Sequence, residues 1–95
     1  MDLDAIVNQL AARKRRATYA AVAGLLGLSR VMAGRPKSPN DSWVVAQESY
    51  RGRRRRGWPT GYTEDQIHPD CLRQIREGFD NVIEDVEVLR RWLRP

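Results

Sequence analysis

Cysteine is nearly missing from this chain: Cys71 stands alone among 95 residues, so no internal disulfide can form. A lone thiol fits a reducing compartment, and the expected location is cytoplasmic, nucleoid-associated if the source is bacterial. Histidine is equally scarce, with His68 the single example, and "HPDC" is half a zinc ligand set with no second cluster to complete it. No apolar run approaches the ~20 residues that cross a bilayer, so no membrane partner is expected. The first residues lack a basic region followed by an apolar core, so no secretory signal is read. No glycine loop of the phosphate-cradling kind occurs, and neither a cofactor nor a metal is expected. Acidic residues are thin in residues 1–62, where 4 face 12 basic ones, a net +8. Residues 63–95 reverse the balance, 8 against 5, a net −3, which brings the whole chain to +5. A basic head and an acidic tail point to a polyanion as the partner of the head.

What is present suits one small domain with one modest core, 41% hydrophobic and 31% charged. Leu3, Ile6, Val7 and Leu10 fall on one face of an amphipathic helix over residues 2–15. Asp2 and Asp4 open it, and Arg13, Lys14, Arg15 and Arg16 crowd its end, where they complement the helix dipole or touch phosphate. Thr18 is suited to cap a second helix that carries Tyr19, Val22, Ala23 and Leu26 at helical spacing. Gly27 is suited to end that helix in the left-handed conformation, and Leu28 to bury in the turn. Ser29 is then placed to cap a short third helix over residues 29–35, stopped by Pro36. A small Ala23, a glycine four residues later and a leucine after it match the spacing of a helix-turn-helix. A plain helical hairpin uses the same ingredients, and both readings stand at this point. In the first reading residues 29–35 are the recognition helix, with Ser29, Arg30 and Arg35 exposed and Arg30 nearest the base edges.

"RPKSPND" is turn chemistry, and Trp43, Val44 and Val45 read as the start of a strand. A return run near residues 58–62 contains Pro59, which confines it to an edge. Between the two lie Arg51, Arg53, Arg54, Arg55 and Arg56, bracketed by Gly52 and Gly57. Five arginines repel one another unless anions are near, so the run reads as the tip of a wing on DNA phosphates. A solvated loop or a localisation signal has the same composition. Beyond residue 62 the chain turns acidic, and Leu72, Ile75, Phe79, Val82, Val86, Leu89 and Leu93 alternate spacings of three and four. They predict an amphipathic helix over residues 70–94 or, if Gly78 breaks it, a shorter helix starting near Asp85; either packs on the core or forms a homodimer through residues 72–93. Cys71 and His68 are close enough to meet on a helical turn, but no third orienting group accompanies them, and a structural role is expected.

With those residues in view, the chain resembles the C-terminal winged-helix domain of alkylguanine-DNA alkyltransferases, and more closely their non-enzymatic alkyltransferase-like relatives. The resemblance rests on "ATYAAVAGLLGLSR", then "SWVV", then "PTGY", across residues 17–62. It implies that Thr18 and Tyr19 open the first helix of the motif and that Tyr19 helps rotate a nucleotide out of the duplex. It implies further that Arg30 fills the gap in the base stack, and that Gly61 and Tyr62 follow the active-site strand. The enzymes carry Pro-Cys-His-Arg-Val on that strand, whereas this chain has "DSWVV", with neither the thiolate nor its base. No catalytic residue is therefore expected.

The expected fold is mainly α with a small β-hairpin: a winged helix-turn-helix over residues 1–62, then an acidic linker and C-terminal helix over residues 63–95. The expected function is non-enzymatic binding of double-stranded DNA, in repair or modified-base sensing. Thr18, Tyr19, Ser29, Arg30, Arg35, Lys37, Arg51, Arg53, Arg54, Arg55 and Arg56 are the expected contacts, and Trp43 and Tyr62 the candidates for base stacking. A sequence-specific transcriptional regulator, or an adaptor that docks an acidic protein on its basic face, are the alternatives.

Overall fold

The computed structural model describes residues 1–47 and 57–94. Four short helices surround a small parallel β-element, making the fold mainly α. The first helix, α1, covers Leu3–Arg13, where the Asp2 carboxylate accepts the Ala5 N–H at 2.8 Å. Capping one of the free amides of the first turn in this way stabilises a helix by about 1 kcal/mol. Ile6, Val7 and Leu10 are buried on a single face, as their spacing requires. Lys14 ends the helix at φ 53°, and the chain turns into strand β1, Ala17–Thr18.

Thr18 leads directly into α2, Tyr19–Leu26, and its hydroxyl accepts the Ala21 N–H at 3.1 Å. At the far end Leu28 N–H donates to Ala23 O and Gly27 N–H to Gly24 O, with Gly27 at φ 70°. That double pattern is the Schellman ending, which needs a left-handed residue at the glycine position. Leu28 itself does not bury in the turn and is 52% exposed.

A 3₁₀ turn over Asn40–Trp43 delivers strand β2, Val44–Val45, parallel to β1 with Ala17 opposite Val44 and Thr18 opposite Val45. Ile83 adds a parallel bridge to Ala17, exchanging hydrogen bonds with Arg16 and Thr18. The sheet of the described residues is thus parallel and lies at the centre, whereas an antiparallel hairpin was expected. A β-strand this short gains little from its own pairing. Its order comes from Ala17, Val44, Trp43 and Ile83, all buried in one cluster with α1 and α2. Beyond β2, Ala46 N–H donates to Trp58 O at 2.9 Å and Gly57 N–H to Ala46 O at 2.8 Å. These two bonds join the chain on either side of residues 48–56, so the arginine run Arg51, Arg53, Arg54, Arg55 and Arg56 lies outside the described residues while both its anchors lie within them.

Of the two readings of residues 70–94, the structure has the one broken at Gly78, with a second helix that starts from Asp85 as its cap. The first, α3, covers Pro69–Arg76, and the second, α4, covers Val86–Leu93. Gly78 at φ 71° turns the chain after α3, and residues 79–85 run extended past β1, where Ile83 makes its bridge. Asp85 then caps α4 through the Glu87 and Val88 amides. The seven apolar positions therefore do not make one coiled-coil seam. Ile83, which is not among them, is buried, and Leu89 and Leu93 enter the same core as Ile6 and Trp43. α2 makes its main helix contact with α4. Among the described residues no helix is long and apolar enough to cross a membrane.

Candidate nucleic-acid interface

The site is built around the start of α2. Thr18 is fully buried and its hydroxyl is spent on the helix cap, so it serves the fold and is not an outward contact. Capping sets the first turn of the helix and places Tyr19 at its mouth. The Tyr19 hydroxyl accepts the Thr60 N–H at 2.7 Å, which ties "PTGY" to α2. Ala20 and Ala23, one helical turn apart, present only methyl groups beside it. The space they leave is a cleft of about 660 Å³, closed on the other side by Ser29, Arg30, Val31, Met32 and Ala33.

That opposite wall is not helical. Residues 29–35 form bends and turns, with Met32 at φ 71° and Gly34 at φ 72°, and the Arg35 N–H donates to Met32 O at 3.1 Å. The expected recognition helix is therefore absent, for reasons visible in the segment. Seven residues close few i to i−4 bonds, and nucleating a helix is unfavourable without a buried face to offset it. Val31 and Met32 are only half-buried, and Gly34 followed by Pro36 opposes helical geometry at the end. A left-handed methionine is uncommon and costs of order 1 kcal/mol, so contacts around it must hold it there.

Arg35 supplies such contacts and is not a free cation. Its Nε donates to Asp41 Oδ2 at 2.7 Å, and one terminal nitrogen reaches Asp41 Oδ1 at 3.2 Å and Asp4 Oδ1 at 2.5 Å. Hydrogen bonds to Asp41 and then Asp4 raise its pKa above the usual arginine value. Beside it lies a smaller recess of about 70 Å³, lined in part by Lys37, Tyr62 and Thr60. The Tyr62 hydroxyl donates to Ser38 O and accepts the Ser38 N–H, both at 3.2 Å, and burial raises its pKa. Tyr62 thus braces the recess. Trp43, the other stacking candidate, is fully buried, with its ring 5.7 Å from that of His68, and cannot meet a base.

The basic residues separate into two groups. Arg13 donates to Trp92 O at 2.6 Å and lies over the indole at 3.8 Å, and Lys14 pairs with Asp70 at 3.0 Å. Arg15 donates to Asn81 O. Arg16, 3% exposed, donates to Gly57 O at 3.1 Å and Phe79 O at 2.6 Å, and burial lowers its pKa. The four basic residues at the end of α1 and just after it, Arg13 to Arg16, are thus ties within the fold. Among the described residues of 1–62, only Arg30 and Lys37 carry a cation with no internal partner, and both border the clefts around Tyr19.

The Cys71 and His68 pair is structural in its contacts. The His68 Nδ1 accepts the Asp70 N–H and caps α3, while the His68 backbone N–H donates to Ser42 Oγ, both at 3.1 Å. The Cys71 thiol donates to Ser42 O at 3.4 Å, and burial pushes its pKa up to about 11. Among the described residues no group of three or more His, Cys, Asp or Glu side chains could hold a metal ion.

Sequence reasoning missed Thr60, Met32 and Asp41. Thr60 acts through its backbone amide, which leaves no signature in residue type. Asp41 stands six residues from Arg35 across two prolines, a pairing that only the turn creates. Compared with protein-family models, curated proteins and solved structures, the chain gives no match.

Proposed function

We propose that this protein is a non-enzymatic binder of double-stranded DNA of the alkyltransferase-like kind. Its Tyr19 cleft meets the duplex, and the arginine-rich segment between Gln47 and Gly57 is a wing that grips the backbone. The observation that carries this reading is the segregation of cations: among the described residues of 1–62 only Arg30 and Lys37 are left unpaired, and they border the two clefts around Tyr19. A cation-rimmed cleft beside an aromatic ring suits phosphate on the rim and a base within. The cleft's place at a Thr-Tyr helix start also agrees with the resemblance, in which a modified nucleotide is rotated from the stack. The joined stem at Ala46, Gly57 and Trp58 supports a wing, since it ties together the chain on either side of residues 48–56. The protonated, buried thiol at Cys71 favours binding over alkyl transfer, because only a thiolate is a competent nucleophile.

Duplex affinity titrated against salt tests the reading. Neutralising ~4–6 phosphates gives a log–log slope of roughly −4 to −5. Alanine at Arg30 or Lys37 is expected to weaken binding and make the slope shallower by about 0.9 each. Absence of binding at low salt would refute the proposal. Equal affinity for duplexes with and without an alkylated guanine would leave DNA binding but remove the sensing role.

A further inference from the structure

The cleft wall over residues 29–33 is irregular, contains a left-handed methionine and has no helical hydrogen bonds of its own, yet it presents Ser29 and Arg30. What holds it is found at its end. Arg35 is joined by its backbone to Met32 and by its guanidinium to two other elements: the turn at Asp41 and α1 at Asp4. The Asp41 side chain is only 6% exposed and meets the flat guanidinium with both oxygens, a geometry that fixes direction as well as distance. Asp41 is itself held, since its N–H donates to Ser38 O at 3.1 Å, and Ser38 is gripped by Tyr62. Arg35 is also unsuited to hold a phosphate. Two carboxylates already surround it, so an approaching anion meets a net negative pair of neighbours.

We propose that Arg35 and Asp41 are a positioning pair: they lock the wall of the Tyr19 cleft and hold Arg30 in its binding place, without touching the nucleic acid. The inference rests on the DNA-binding reading above. It makes a prediction opposite in sign to that of a direct contact. Asp41→Asn removes a negative charge from the basic face. If Arg35 bound phosphate, that change would free it and tighten binding. If the pair positions the wall, the change puts an amide donor against the guanidinium, and duplex affinity falls roughly two- to tenfold, the range expected when one loop's pre-organisation is lost.

The experiment measures duplex affinity and its salt slope for the full chain and for Asp41→Asn, Arg35→Lys and Arg35→Met, each below its melting temperature. The expected result is weaker binding in all three at an unchanged slope, including Arg35→Lys, which keeps the charge and loses only the fork. Amide hydrogen exchange is expected to quicken in residues 29–38 of Asp41→Asn while α1 keeps its protection. Tighter binding by Asp41→Asn, or a slope shallower by about 0.9 in Arg35→Met, overturns the proposal and makes Arg35 a direct contact. Exchange that quickens equally in α1 and α2 overturns it as well, since the pair would then serve the whole core. A wild-type chain that binds no duplex removes the DNA reading and this inference together, whereas binding that fails the Asp41→Asn prediction removes this inference alone.

Discussion

At the scale of single residues, charge type says less than partnership. Seven described basic residues precede residue 62, and five of them, Arg13, Lys14, Arg15, Arg16 and Arg35, are engaged inside the fold, which leaves Arg30 and Lys37 exposed. The exposure of Arg30 was legible because it follows a helix-ending glycine and a serine. The pairing of Arg35 was not, because its partners approach through a turn and through a different helix. Trp43 shows the same limit from the apolar side: a strand-opening tryptophan suits a core or a stacking platform, and only burial by α1, α3 and Ile83 selects the core. Cys71 carries a prediction at this scale. Its thiol ionises near pH 9 when unfolded and near pH 11 in the fold. Between those values the unfolded state has released a proton that the folded state retains, so stability falls as pH rises from 9 to 11. The loss is about 2–3 kcal/mol by linkage. Chemical denaturation across that window, compared with Cys71→Ala, is expected to show the wild type losing more stability by that amount.

At the scale of elements, helix starts and stops were readable and helix existence less so. The Asp2 and Thr18 caps and the Gly27 ending obey local rules that need only a few neighbouring residues. The helix over residues 29–35 failed because nothing buries its face, and the helix over residues 70–94 broke because Gly78 allowed residues 79–85 to pair with β1. Pairing at Ile83 satisfies backbone groups and buries a large aliphatic side chain, which outweighs the seven helical positions given up. The contact of α2 with α4 depends on a missing side chain. A methyl group at Gly24 would lie 2.6 Å from Val86 Cγ2, well inside contact distance. Gly24→Ala is therefore expected to destabilise the protein by about 1–3 kcal/mol despite the better helix propensity of alanine, and thermal or urea melting measures it.

At the scale of the whole molecule, the acidic tail is part of the same core as the basic head. Ile67, Cys71, Ile83, Leu89 and Leu93 pack with Ile6, Leu10, Val22 and Trp43, so residues 63–95 complete the fold begun by residues 1–62. With Leu89 and Leu93 enclosed, a homodimer through residues 72–93 would have to use Phe79, 47% exposed, and Val88, 46% exposed. The chain is expected to sediment as a monomer, and a concentration-dependent dimer lost in Val88→Asp would show otherwise. The sequence by itself determined the amphipathic α1, the caps and glycine ending of α2, the mainly α class and the concentration of positive charge in the first 62 residues. Those features follow from spacing, turn chemistry and charge, which act over a few residues. Tertiary structure alone decided the parallel pairing of β1 with β2, the bridge of Ile83 to β1 and which cations remain unpaired. Each of these depends on groups far apart in the chain competing for the same partners, and that competition is settled only when the core closes.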